Sequence, residues 1–136
     1  MLFALLAVLP FSAQAQMYEG CTYETQITHG DKFNSSGVDL RKLKGRAAVA
    51  AILRQNRANT VKAYGLEGSD ACLASKSDRA LFEKLILNSR ITTGAANTII
   101  HGTPRIRVDL SVGPRGEDLL EVQILRSQPS YRGVVH

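Results

Sequence analysis

The longest amphipathic pattern in the chain covers residues 46–64, which is also its longest segment with neither glycine nor proline. Apolar and amide side chains recur there at intervals of three and four, the spacing of one helical face. Alanines raise the helix propensity of this segment, and Gly65 follows where a helix commonly ends. The pattern therefore predicts one long helix. Its repeating face consists of Val49, Ile52, Leu53, Asn56, Thr60 and Tyr64.

A second helix is predicted to begin after Ser75, because residues 75–78 fit the capping-box signature. Its inward face consists of Leu81, Phe82, Leu85 and Ile86. Residues 92–97 include a glycine and no apolar stripe, so they are predicted to be a break in the chain. Residues 98–101 are predicted to form either a short strand before the hairpin or an extension of its first strand, ended by Gly102 and Pro104.

Strict alternation of apolar and polar residues predicts strands at both ends of the mature chain. One covers residues 21–29, and a hairpin places residues 105–112 and 120–124 on either side of the turn at residues 113–116. The element order is then β-α-α-β-β. We expect a single α+β domain over residues 16–136, in which two helices pack against one face of a small antiparallel sheet.

The N-terminal residues have the pattern of a secretory signal peptide. Residues 2–11 are apolar, interrupted only by Pro10, and Ala13-Gln14-Ala15 provides a small-x-small cleavage motif. We therefore predict a signal peptide at residues 1–15 and a mature protein that is periplasmic or secreted. No lysine or arginine precedes the apolar run, so the start lies upstream or the basic region is missing. A buried N-terminal helix is the competing interpretation, which Pro10 disfavours.

The mature chain contains two cysteines, Cys21 and Cys72. In an exported protein such a pair is most simply one disulfide, which would close a loop of about 50 residues and stabilise the fold by roughly 4 kcal/mol. A free thiol and a two-ligand metal site are the alternatives. The absence of Cys-x-x-Cys spacing and of a neighbouring histidine argues against the metal site.

The net charge and the aromatic content of the chain indicate which class of partner it favours. The chain carries a formal net charge of +5, with a pI of about 9.5. This excess favours an anionic partner such as an acidic protein or another anionic component of the envelope. Tryptophan is absent and no aromatic RNA-binding motif occurs, which argues against nucleic acid. No stretch of the mature chain is long and apolar enough to span a bilayer.

The sequence contains no recognisable catalytic, metal-binding or phosphate-binding motif. The histidines His29, His101 and His136 are isolated, and neither a nucleophile motif nor a phosphate-binding glycine motif occurs. We therefore expect no cofactor, no metal and no catalytic residue. The favoured function is a small exported binding or accessory protein of the cell envelope, inhibitor-like or immunity-like. The alternatives are a small envelope hydrolase with a histidine and a carboxylate, or a subunit of an envelope-spanning secretion or transport assembly.

The candidate binding residues are all basic. The segment 41–46 holds four positive charges in six residues, and its competing interpretation is a solvated helix start. Asn56 lies on the apolar face of the long helix, where it belongs either to a buried hydrogen-bond network or to a recognition surface with Arg57 and Asn59. The predicted binding residues are Arg41, Lys42, Lys44, Arg46, Arg57, Arg105 and Arg107.

Overall fold

The computed structural model describes residues 20–125, which form an α+β fold of three helices and three strands. The predicted signal peptide at residues 1–15 lies outside the described residues. Two short 3₁₀ turns, His29–Lys32 and Leu40–Leu43, separate the first strand from the first helix. In chain order the elements are β1 (Cys21–Gln26), α1 (Gly45–Ala63), α2 (Lys76–Leu87), α3 (Thr93–His101), β2 (Arg105–Val112) and β3 (Asp118–Leu125).

The three strands form one antiparallel sheet in the order β1-β2-β3, so that β2 lies in the middle. Val108 is the register partner of Tyr23 on one side and of Val122 on the other. Because successive side chains in a strand point to opposite faces, each strand has an inner and an outer row. The predicted hairpin is confirmed. Ile106, Val108 and Leu110 form the buried inner row of β2.

The helix α1 lies at the centre of the core. It contacts α2, α3 and both 3₁₀ turns, and its first half is buried on all sides from Ala48 to Leu53. The small alanine side chains make burial on all sides possible, because they let neighbouring elements approach the helix closely. The largest fully buried side chains around it are Phe82, Ile27, Ile52, Leu53, Ile86, Ile99 and Ile106. The long helix was therefore predicted to within one residue at each end.

Residues 92–101 differ from the prediction of a break followed by a short strand, because they form the helix α3. The Thr92 hydroxyl caps its start by accepting a hydrogen bond from the Ala95 N–H at 3.1 Å. Ile99 and Ile100 are buried within the core. The β-branched residues favour a strand by propensity, but burial against α1 outweighs that weak preference. The observed order is β-α-α-α-β-β.

The predicted disulfide between Cys21 and Cys72 is confirmed. The two Cα atoms are 5.6 Å apart, which is within the usual range for a disulfide. The bond joins the first residue of β1 to the loop between α1 and α2. Within residues 20–125, no helix has the length and apolar character needed to cross a membrane.

Candidate functional site

A buried carboxylate fixes the loop between β1 and α1. Asp31 Oδ2 accepts hydrogen bonds from the Thr28 N–H and from Asn56 Nδ2, both at 2.8 Å, and its Oδ1 accepts one from Asn59 Nδ2 at 2.8 Å. Asn56 also donates to the Gln26 carbonyl at 3.1 Å. Asn56 therefore belongs to a buried network and not to an exposed recognition surface. The network holds this loop rigidly beside α1.

Lys32 is almost fully buried, and sequence reasoning did not single it out. Its ammonium donates to the carbonyls of Ile99, Ile100 and Gly102, the last two at 2.9 and 2.7 Å. Burial lowers the pKa of Lys32, repulsion from Arg41 lowers it further, and Asp31 opposes the shift. Lys32 thus serves as the C-terminal cap of α3, satisfying carbonyls that a helix end leaves unpaired.

Arg57, a predicted binding residue, is buried and is not part of an exposed surface. Its Nε and Nη2 donate to the Cys72 carbonyl at 2.9 and 2.6 Å, and its guanidinium lies 4.2 Å from the centre of the Tyr23 ring. Desolvation lowers the pKa of Arg57. This arginine therefore holds the disulfide-bearing loop against the inner face of the sheet.

Arg41, another predicted binding residue, is neutralised by its near neighbour. Its Nε and Nη2 donate to the two oxygens of Asp39 at 2.8 Å each, and its guanidinium lies 5.4 Å from the Phe33 ring. Hydrogen bonding to Arg41 lowers the pKa of Asp39 to about 2. Such a bidentate pair leaves Arg41 little free charge for an external partner.

Arg105 and Arg107 lie in the outer row of β2, while the helices cover the opposite, inner face. Arg105 Nη2 lies 3.5 Å from Glu24 Oε1. Arg107 Nε lies 3.5 Å from Asp109 Oδ2. The two arginines therefore lie on the sheet face that the helices, including α1 with the basic segment before it, do not cover.

The remaining predicted residues, Lys42, Lys44 and Arg46, are exposed around the start of α1. Arg46 Nη1 donates to the Leu87 and Ser89 carbonyls at 3.1 and 2.9 Å, so the end of α2 lies beside them. Two further exposed cations occur there, one in the last turn of α2 and one just after it. We name the resulting surface the cationic end. It consists of Lys42, Lys44, Arg46, Lys84 and Arg90.

Asp39 attracts the charge of Lys42, but no residue of the cationic end takes part in the ion pairs found within residues 20–125. The ion pairs found across residues 20–125 involve Arg41, Arg54, Arg105 and Arg107 instead. Cations at the start of a helix also oppose its dipole, so Lys44 and Arg46 gain nothing there from α1. The surface consequently keeps a positive field available to an external anion.

A groove of about 570 Å³ runs along α1, between α2 and the loop of residues 34–43. Such a volume is within the range of ligand-binding clefts. Ala51 and Ala58 form its floor, and Leu43, which is 53% exposed, stands on its rim. The charged side chains along it are four cations and two carboxylates: Arg54, Lys62, Lys76, Arg79, Glu67 and Glu83.

The groove and the cationic end adjoin each other, because Leu43 lines the groove and is flanked in sequence by Lys42 and Lys44. Sequence reasoning missed the groove residues. The available signal was weak: Lys76, Arg79 and Glu83 recur at helical spacing, but that spacing alone does not show which elements lie opposite.

Of the histidines that would serve the hydrolase alternative, the two within residues 20–125 take part in none of the ion pairs found there. His29 lies edge-on to the Phe33 ring at 5.4 Å, and His101 is exposed at the end of α3. Between Gly20 and Leu125, no group of three histidine, cysteine or acidic side chains is placed to hold a metal ion. His136 lies outside the described residues.

Comparisons with models of protein families, with curated proteins and with solved structures found no match to this chain. The candidate site therefore rests on its own geometry and charge.

Proposed function

We propose that this protein is a small exported binding protein of the cell envelope that engages an acidic protein partner through the cationic end. The observation that carries the proposal is the gathering of five exposed cations where α1 begins and α2 ends, none of which takes part in the ion pairs found within the described residues. Such a surface accelerates encounter with an anionic partner and fixes its orientation. An inhibitor-like or immunity-like protein acts by binding alone, so this role requires no catalytic residue.

Two features support the extracytoplasmic part of the proposal. The Cys21–Cys72 disulfide is typical of an oxidising compartment. The leader pattern at residues 1–15 is typical of a secretory signal peptide. Protein isolated from its native source should begin at Gln16 and carry no free thiol. Intact mass spectrometry with and without a thiol-alkylating reagent tests both points.

The binding part is tested by charge reversal at matched exposed positions. Lys42→Glu and Lys84→Glu each change the net charge as much as Arg115→Glu, which lies in the hairpin turn away from the cationic end. Exposed ion pairs contribute up to about 1 kcal/mol, so each reversal at the cationic end should weaken binding about fivefold. Arg115→Glu should leave binding unchanged.

The assay uses the mature variants as baits in envelope extracts, with captured proteins quantified by mass spectrometry. An acidic protein retained by the wild type and by Arg115→Glu, but depleted with both cationic-end variants, is the expected result. Equal capture by all four baits would exclude the cationic end as the docking surface.

A further inference from the structure

We propose that the groove beside α1 takes an acidic peptide segment of the partner, an inference that rests on the proposed function. The segment would continue from the cationic end, where Lys42 and Lys44 flank Leu43 at the groove's rim. The cationic end then attracts the partner, while the groove binds one segment of the partner's chain.

The dimensions fit an extended peptide. The groove follows α1 from Ala51 to Lys62, which at the rise of an α-helix is about 16 Å. An extended chain covers that length with about five residues. The floor is made of the small side chains of Ala51 and Ala58, so a peptide backbone can approach the helix closely.

The charges favour an acidic segment. Of the two carboxylates in the groove, Glu83 is already paired with Arg54 at 2.6 Å. Lys62 and Lys76 are exposed and form no ion pair within the described part of the chain. Arg79 donates to the Leu73 and Ala74 carbonyls and takes part in none of the ion pairs found within residues 20–125. Positive charge is therefore in excess along the groove.

An amide side chain is placed to bond a peptide backbone. Gln55 Nε2 donates to Asn59 Oδ1 at 2.9 Å, and Asn59 is in turn fixed by Asp31. This chain of hydrogen bonds sets the orientation of the Gln55 amide while its carbonyl oxygen remains available within the groove. A backbone N–H of a bound segment is a suitable donor to it. The combination of a narrow floor and an oriented amide favours a peptide over the flat anionic surface of a lipid bilayer.

The probe is a fluorescein-labelled peptide of alternating glutamate and alanine, about twelve residues long, with its lysine–alanine counterpart as the charge control. Binding to the mature protein is followed by fluorescence anisotropy at about 50 mM salt, where screening is weak. We expect saturable binding of the acidic peptide and none of the basic one. Ala58→Trp, which fills the groove, should weaken binding at least tenfold.

The matched control is Ala63→Trp, an exposed position at the end of α1 that does not line the groove, and it should bind like the wild type. Circular dichroism establishes that each tryptophan variant is folded. If Ala58→Trp does not fold, the exposed double variant Lys62→Glu/Lys76→Glu replaces it, with the same tenfold loss expected.

The outcomes separate this inference from the proposed function. Binding that is weakened by Lys42→Glu but not by the groove variants would refute the groove while leaving the cationic end in place. Absence of acidic-peptide binding would also refute the groove, whatever the envelope capture shows. Binding of phosphatidylglycerol vesicles in place of the peptide, lost with Lys42→Glu, would overturn both and identify a lipid surface as the partner.

Discussion

Replacing Lys32 by methionine is expected to destabilise the fold by about 3 kcal/mol, although Lys32 belongs to neither candidate binding surface. The ammonium donates to three carbonyls at the end of α3. The cap residue Gly102 is in an extended conformation, so the backbone forms no left-handed cap there. Methionine fills nearly the same volume but donates nothing. The three carbonyls would then depend on water for partners.

The magnitude follows from opposing contributions. A hydrogen bond to a charged group is worth about 1.5–3 kcal/mol, and losing three of them sets an upper limit well above 3 kcal/mol. Two effects reduce the loss: the desolvation cost of the buried ammonium disappears, as does its repulsion from Arg41. Gly102 is partly exposed, so water can reach its carbonyl. A net loss of about 3 kcal/mol corresponds to a fall in Tm of roughly 12 °C.

The measurement is urea unfolding of the mature protein followed by far-ultraviolet circular dichroism, with the disulfide intact. Lys62→Met is the matched control, because it removes the same charge from an exposed position on α1. It should change the free energy of unfolding by less than about 0.5 kcal/mol. Amide hydrogen exchange provides a local readout, and amides in the last turn of α3 should exchange faster in Lys32→Met. A Lys32→Met variant as stable as Lys62→Met would refute the capping role.

Three further predictions concern the anchors of the fold. Replacing Cys21 and Cys72 together by serine should lower the free energy of unfolding by about 4 kcal/mol in urea, whereas an alkylation control without reductant should leave the wild type unchanged. Arg57→Met should cost about 2 kcal/mol in the same assay, because the Cys72 carbonyl loses both donors. The pair with Arg41 lowers the folded-state pKa of Asp39 to about 2, so its stabilising effect is present above about pH 4 and is lost as the pH falls through 2. Arg41→Gln should return that pKa towards 3.8 in an NMR titration of the carboxyl carbon, and an unchanged pKa would contradict the pairing.

The sequence predicts well the elements that need only an apolar surface to pack against, whichever residues provide that surface. The pattern of α1 requires only that something apolar covers its face, and alanine propensity together with Gly65 sets its length. The hairpin is equally local, because alternation and the turn at residues 113–116 specify it together. The disulfide was predicted by counting cysteines in a chain that the sequence indicates is exported.

The helix α3 was missed because its stabilisation is not local. Its β-branched residues favour a strand, and its C-terminal cap comes from Lys32, 67 residues before Ile99 in the chain. No spacing rule connects a lysine in one loop to the end of a helix so far away. The same limit explains why the sequence did not single out Lys32.

The candidate surface was predicted only in part, for a related reason. Lys42, Lys44 and Arg46 are exposed as expected, but their neighbour Lys84 comes from the last turn of α2 and Arg90 lies three residues after its end. Arg57 is buried because the disulfide-bearing loop covers its side of α1, which the sequence pattern does not show. Faces of a helix can be read from sequence, but what covers each face depends on tertiary packing.

The position of β2 in the middle of the sheet has a consequence for biogenesis. Thr25 pairs with Ile106, so the first strand has no partner until about eighty more residues have been synthesised. Contacts of such long range form late and fold slowly. The sheet of a nascent chain of this topology therefore cannot be completed until β2 and β3 have been synthesised.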